Sequence, residues 1–421
     1  MDAWDVVVIG GGPAGLLAAC RAAERGRATL LLEKNPRPGV KILMSGGGRC
    51  NLTHATDAQG IVEAFGPSGR FLHSALAALG PRELVDLIGT EGVPTKVEPD
   101  GKVFPVSGKA GDVLAAVTRR LKRSGATLSV EEPLVDLQPH ASGFHLLTAR
   151  RTLAATKVVL TTGGRSYPGC GTTGDGYRWA AALGHTIVTP CPALVPIVTD
   201  ATWVKDLQGI TIPDVLLRVT RVEGGSSPSG AGTTGEKPLA ERRGALLFTH
   251  FGLSGPVVLD VSRAVSACRR GRRPLLQCDF LPGVNEEQLD TMLAVASAQT
   301  GRRSVGSLLD RWLPRRFAED LAVEAQVAPD CRAAELSRQA RLRLVQAVKR
   351  LGVRTTGTLG FEKAEVTAGG VSLEEVDSRT MESKLAPGLF IGGELLDLDG
   401  PVGGYNLQAA FSTGCLAGEH V

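Results

Sequence analysis

The feature that most constrains this chain lies in its first 33 residues. An apolar run, Val6-Val7-Val8-Ile9, leads straight into Gly10-Gly11-Gly12-Pro13-Ala14-Gly15, and a second run, Thr29-Leu30-Leu31-Leu32, ends on Glu33. A short run without polar residues suits a parallel strand covered on both faces. The alanine-rich stretch from Pro13 to about Arg25 reads as a helix. Strand, glycine turn, helix, strand and acid, in that order, make the pattern of a dinucleotide site. Gly10 makes the turn, Gly12 lets the backbone approach a pyrophosphate, and Gly15 allows the helix to pack on the strand. The helix N-terminus offers N–H groups to phosphate, and Glu33, 23 positions after Gly10, can accept from a ribose. Glycine accounts for 53 of 421 residues, so a bare GxGxxG could arise by chance, but a chance turn gives Glu33 no task. FAD and NAD both fit this unit.

Composition narrows the class. Hydrophobic residues are 43% and charged residues 21%, as in a folded soluble protein. No apolar stretch is long and uncharged enough to span a membrane, and Met1-Asp2-Ala3-Trp4-Asp5 has no signal-peptide character. The 8 cysteines show no C-x-x-C spacing, so the expectation is reduced thiols, no metal site and a cytoplasmic location.

Lys41-Ile-Leu-Met-Ser45-Gly46-Gly47-Gly48-Arg49-Cys50-Asn51 follows, a polar loop rich in backbone. Here the chain resembles a family of bacterial flavoproteins known as aminoacetone-oxidase-like or predicted flavoproteins, whose signature is a lysine followed by S-G-x-G-R-C-N. The resemblance covers nearly the whole chain, with matching motifs at 10–15, 41–51, 161–176, 248–256 and 390–414. It implies FAD, with Ser45, Gly46, Gly48, Arg49, Cys50 and Asn51 near the isoalloxazine ring and Lys34 and Lys41 within the cofactor site. It also brings backbone near Leu134 to the adenine, and returns the chain to the cofactor at Thr162-Gly163. Gly169-x-Gly171-x-x-Gly174 also fits GxGxxG, but no strand feeds it and no acid follows. The turn Thr173-Gly174-Asp175-Gly176 resembles a second wall of the FAD site instead.

Near the C-terminus, Leu389-Phe390-Ile391 runs into Gly392-Gly393-Glu394, then Gly403-Gly404-Tyr405-Asn406-Leu407 opens an alanine-rich helix. The resemblance gives Gly393 and Glu394 to the ribityl chain, where most relatives have Asp. Gly404, Tyr405, Asn406 and Leu407 fall at a helix N-terminus, whose dipole favours negative charge on a reduced flavin.

The expected fold is α/β: a Rossmann-like FAD-binding domain of the two-dinucleotide-fold type, without a separate NAD domain. It spans 1–190 and 355–421 and is interrupted by a β-barrel-like insert, 191–281, and a helical insert, 282–354. Within the insert, a Gly/Ser/Thr/Pro stretch between Glu223 and Glu241 reads as a mobile hairpin tip or long loop. Phe248-Thr249-His250-x-Gly252-x-Ser254-Gly255-Pro256 matches the family again. Leu342, Val345, Val348 and Leu351 suggest one apolar stripe, with Arg338, Arg341, Arg343, Lys349, Arg350 and Arg354 around it. Residues 191–354 hold 23 Lys and Arg against 17 Asp and Glu, an excess of +6, whereas the rest of the chain carries −2. Either a solvated basic face or a surface for structured RNA follows.

The functional expectation is an FAD-dependent oxidoreductase, foremost a reductase of an activated C=C bond driven by NADH or NADPH as a transient donor. The resemblance implies a uridine of ribosomal RNA or a conjugated enone as substrate. An oxygen-using amine oxidase and a non-enzymatic FAD-binding partner or sensor protein are the alternatives. Saturating C=C needs a proton beside the hydride, and Cys50, His250 and Tyr405 are the candidate donors. For His250, lone among loop glycines, a structural hydrogen bond is the rival reading.

Overall fold

Val6, Val7 and Val8 have no solvent exposure, because the strand Asp2–Ile9 lies inside a sheet rather than at its edge. It pairs in parallel with Thr29–Leu32 on one side and Thr152–Leu160 on the other. Thr127–Ser129 extends the sheet beyond Thr29–Leu32, and Leu389–Ile391 pairs in parallel with Thr152–Leu160. The antiparallel strands Gly143–Thr148 and Leu134–His140 complete it. Thr127–Ser129 and Leu134–His140 are separate strands, and the connection between them carries the buried Glu132.

The structure is a computed structural model that describes residues 2–221, 237–268, 274–299 and 301–421. It contains two compact units, Met1–Pro192 with Ala364–Val421, and Ala193–Lys363. In the first, helix Tyr405–His420 packs on helix Pro13–Glu24 with almost no side chain between them. A Cβ on Gly414 would stand 2.1 Å from Ala14 O, and one on Gly418 2.5 Å from Ala18 O. Two glycines one helical turn apart therefore let the last residues of the chain lie against the first helix. Gln408 Nε2 and Ser412 Oγ donate to Leu79 O at 3.0 and 2.7 Å, fixing the other side of the same helix.

The second unit is an antiparallel sheet with helices. Its strand order is Leu351–Arg354, Leu275–Asp279, Thr211–Thr220, Ala240–Thr249, Gly252–Ser254, Ile197–Val198, Gly357–Thr358. The expected separation into a β-rich insert and a helical insert is not how it packs. Leu217, Leu246 and Phe248 of the sheet share one hydrophobic cluster with Phe317, Leu321, Leu344 and Val348 of the helices. Residues of 282–354 bury apolar side chains against that sheet, and Leu351–Arg354 is itself a strand of it. Most of the glycine-rich stretch between Glu223 and Glu241 lies outside the described residues, while Ala240 and Glu241 belong to a strand.

The apolar stripe of helix Arg338–Arg350 also differs from expectation. Each residue turns a helix by about 100°, so positions three apart drift about 60° per step. The buried set is Leu344, Val345, Ala347 and Val348, whereas Leu342 is 44% exposed.

Candidate functional site

The glycine turn behaves differently at each of its positions. Gly10 adopts φ 102°, and a Cβ there would meet Thr161 O at 2.6 Å. A Cβ on Gly15 would stand 1.9 Å from Gly10 O and 2.6 Å from Thr161 Oγ1, so this glycine serves helix-to-strand packing. Gly12 is different: its φ of −76° suits any residue, and its Cβ would meet nothing within 4 Å. The missing side chain at Gly12 keeps open a space that the protein itself does not fill, directly before Pro13 and Ala14 at the start of the helix. Around it, the Glu33 carboxylate accepts from Gly11 N and Asn35 N, both at 2.8 Å. It is thereby held at the end of its strand with acceptor capacity to spare. Thr162 Oγ1, just past the neighbouring strand, is buried without a partner in the protein. An open cradle before a helix N-terminus, an oriented carboxylate and an orphaned hydroxyl fit the pyrophosphate and ribose of FAD.

Two further walls converge on this end of the sheet. Lys34 Nζ donates to Thr173 Oγ1 and Asp175 Oδ2, both at 2.7 Å, clasping the turn at Thr173-Gly174. Burial pushes the Asp175 carboxyl up, but these hydrogen bonds outweigh it and hold it below its ordinary value. Leu134 opens its strand close by, since Glu132 N donates to Glu33 O at 3.0 Å. Gly163, at φ 72°, packs on Thr172. On the other wall, Lys41 Nζ bonds the Glu394 carboxylate and donates to Ser166 Oγ at 2.6 Å. Glu394 Oε1 also accepts from Ser166 Oγ at 2.5 Å and Thr367 N at 2.8 Å. The Glu394 side chain reaches these donors, which leave little of its acceptor capacity for a ribityl hydroxyl.

The loop after Lys41 is built from left-handed backbone. Gly46, Gly47 and Gly48 have φ of 56°, 67° and 85°, and Cys50 follows at 61°. Such a run is open to glycine and strained for other residues. It turns the chain back so that Asn51, with its amide oriented to satisfy both partners, donates to Thr53 O and accepts from Gly404 N at 3.1 and 3.0 Å. The loop is thus joined to the start of helix Tyr405–His420, where Asn406 Oδ1 accepts from Gly400 N at 2.8 Å. Ser45 Oγ donates back to Ile42 O at 2.8 Å. The Arg49 guanidinium lies 4.0 Å from the centre of the Phe104 ring and bonds Glu98 at 2.7 Å.

The three proton-donor candidates differ in their surroundings. Cys50 is fully buried, and burial pushes its thiol up to about 12. It offers neither access nor acidity, which argues against the donor role. His250 belongs to the second unit, exposed on the turn between Ala240–Thr249 and Gly252–Ser254. The motif around it explains itself locally: Thr249 Oγ1 closes the turn on Gly252, and Gly255, at φ 92°, packs under Ala245 O. Tyr405 is half-buried at the first position of its helix. Its ring stacks on His54, with centroids 4.8 Å apart and planes at 18°. His54 Nδ1 lies 3.2 Å from Gly403 O. Sequence reading passed over His54; its place three residues after Asn51 was the available signal.

The basic helix of the second unit is largely occupied. Arg341 pairs with Asp290 at 2.6 Å, Arg350 with Glu286 at 2.5 Å, and Arg343 donates to Ala325 O at 2.8 Å. Lys349 is buried, paired with Asp279 at 2.7 Å and donating to Leu281 O. These four side chains build the unit rather than stand ready for phosphates. Arg302, Arg303, Arg332 and Arg338 are exposed and form no direct ion pair among the described residues, although Arg338 lies close enough to Asp290 to help lower its carboxyl. Backbone pairing brings the first three into one neighbourhood, through Ala333 N on Arg303 O at 2.8 Å and a bridge between Ser304 and Arg332.

Among the described residues, no helix is long and apolar enough to cross a membrane, and no group of His, Cys, Asp or Glu is arranged to hold a metal. The family model described as HI0933-like protein Rossmann domain matches residues 4–420. The chain is 32% identical to the ribosomal RNA dihydrouridine synthase of Escherichia coli, across 98% of this chain and 96% of that protein. It is 30% identical to the 3-dehydro-bile acid delta(4,6)-reductase of Clostridium scindens, across 98% and 97%. The fold is similar to that of 3-ketosteroid delta1-dehydrogenase from Sterolibacterium denitrificans, with a TM-score of 0.51 at 15% identity, covering 100% and 99% of the two chains.

Proposed function

The chain belongs to the HI0933-like Rossmann-domain family of FAD-dependent oxidoreductases, and from that premise we propose that it reduces a C=C bond conjugated to a carbonyl. The observation that carries this is the space kept open at Gly12 in front of a helix N-terminus, beside Glu33 and the orphaned Thr162 hydroxyl. The relatives supply the reaction class. Making dihydrouridine saturates the ring double bond of a uracil, and a delta(4,6)-reductase saturates steroid C=C bonds. Both substrates place the double bond next to a carbonyl, so one arrangement of hydride donor and proton donor serves either.

Bound FAD would supply the hydride chemistry, with NADH or NADPH as the electron source. The chain's own residues do the rest. Backbone N–H groups of Gly12, Ala14 and Gly15 would receive the pyrophosphate, and Glu33 would accept from the adenosine ribose. The loop from Gly46 to Cys50, left-handed at every residue but Arg49, would frame the ring region, tied to Gly404 through Asn51. Tyr405 is the proton donor we favour at Oη, because it joins partial exposure to a fixed position on the helix start, with His54 holding its ring face.

An RNA substrate needs a grip on phosphates as well as a base in the active site. Arg302, Arg303 and Arg332 suit that role better than the occupied helix Arg338–Arg350. The test is anaerobic. Flavin absorbance is followed as NADH or NADPH is added, and the reduced protein is then offered unmodified ribosomal RNA, a steroid dienone, or oxygen with an amine. Reoxidation by RNA or dienone with a saturated product supports the proposal. Fast reoxidation by oxygen with amine turnover overturns it in favour of an oxidase, and a flavin that no donor bleaches overturns it in favour of a non-enzymatic role.

A further inference from the structure

Glu394 places a carboxylate close to where the FAD reading puts a pyrophosphate. The segment carrying it runs against the anion-binding helix: a Cβ on Gly393 would lie 2.9 Å from Ala14 Cβ, in the first turn of Pro13–Glu24. One carboxylate oxygen would be 3.2 Å from a Cβ on Gly164, two residues past the orphaned Thr162. A lone negative charge here would oppose a dianionic ligand. The charge is not alone, because Lys41, 353 positions away in sequence, bonds it directly. Ser166 Oγ bridges the two, accepting from Lys41 Nζ at 2.6 Å and donating to Glu394 Oε1 at 2.5 Å. Ser166 is fully buried, and the Lys41 and Glu394 side chains are only 24% and 16% exposed, so solvent screens the pair weakly.

We propose that Lys41 acts on FAD through Glu394: its task is to cancel that carboxylate, so that the wall beside the pyrophosphate carries no net charge. This rests on the FAD reading above. Like charges about 6–12 Å apart, at an effective dielectric of about 20, repel enough to shift a binding equilibrium by about ten- to a hundredfold. Removing one partner of a buried pair leaves the full penalty, whereas removing both charges together is nearly neutral. A lysine that instead touches FAD would be missed whatever stood at position 394.

The pair of variants Lys41→Met and Lys41→Met/Glu394→Gln separates these. Flavin is stripped from purified holoprotein, FAD is titrated back by fluorescence quenching, and circular dichroism verifies that each apoprotein is folded. The expected result is a Kd at least tenfold weaker for Lys41→Met, and within about threefold of wild type for the double variant. A double variant as weak as Lys41→Met overturns the proposal, as does a single variant that binds FAD like wild type. Should Lys41→Met not fold, the double variant decides by itself, since it carries no lone charge: wild-type affinity supports the proposal and weak binding overturns it. A wild-type protein that takes up no FAD is a separate result, and sinks the cofactor reading beneath it.

Discussion

Two alanine substitutions three residues apart in the glycine turn should have opposite consequences. Gly12 has φ −76°, open to any residue, and its Cβ would touch nothing in the protein. Gly12→Ala should therefore leave the apoprotein as stable as wild type, or raise its stability by about 0.5 kcal/mol by restricting the unfolded chain. The methyl group enters the space reserved for the pyrophosphate and displaces it from the turn's N–H groups. Losing about two charge-assisted hydrogen bonds at about 1.5 kcal/mol each costs about 3 kcal/mol, or roughly 150-fold in the Kd for FAD. Gly15→Ala drives a Cβ to 1.9 Å from Gly10 O. Forced backbone separation of this kind costs about 1–3 kcal/mol or more, a fall in apoprotein Tm of roughly 3–10 °C. Differential scanning fluorimetry of apoproteins and FAD titration read the two effects separately. If Gly12→Ala binds stoichiometric FAD with wild-type affinity, the pyrophosphate does not lie at this turn and the cofactor argument is wrong.

Four other outcomes are expected. Burial raises the Glu132 carboxyl, but bonds from Arg151, Ser129 and Thr148 more than reverse this, to about 2 from an ordinary 4.5. A depressed carboxyl adds stability that is complete at neutral pH and lost as pH falls from about 4.5 to 2. Glu132→Gln should thus cost about 3 kcal/mol in urea unfolding at pH 7 and clearly less at pH 3; an equal cost at both would refute the linkage. Lys349→Met strands buried Asp279 and should destabilise by about 3–5 kcal/mol, whereas exposed Arg338→Gln should change stability by less than about 0.5 kcal/mol in the same assay. Arg49→Ala should keep the fold, because its ring contact and ion pair together contribute about 1 kcal/mol. Its flavin affinity or turnover should fall, and an unchanged spectrum and rate would reduce Arg49 to a surface clasp. Native Cys50 should resist iodoacetamide at pH 8 while half-buried Cys331 reacts, as peptide mapping would reveal; labelling of both at one rate would contradict its burial.

Local chemistry determined the first part of this protein, and the sequence displays it. Gly10 must take positive φ, Gly15 must admit a helix onto a strand, and an apolar run must be covered on both faces; each demand is met by residues near one another in the chain. The strand, turn and helix around Gly12, the left-handed loop before Asn51 and the helix opening at Tyr405 were legible for that reason. Partnership was not legible, because it depends on what folding brings near. Arg341, Lys349 and Arg350 read as a basic face until Asp290, Asp279 and Glu286 meet them. Leu342 reads as core until the drift of a three-residue spacing turns it outward. The helices of 282–354 read as a separate insert until their apolar side closes on the sheet. His54 gains meaning only beneath Tyr405, and the charge of Glu394 can be judged only once Lys41 reaches it. A side chain's type is written in the sequence, but its electrostatic and packing role is a property of its neighbours in space, and those the tertiary structure alone supplies.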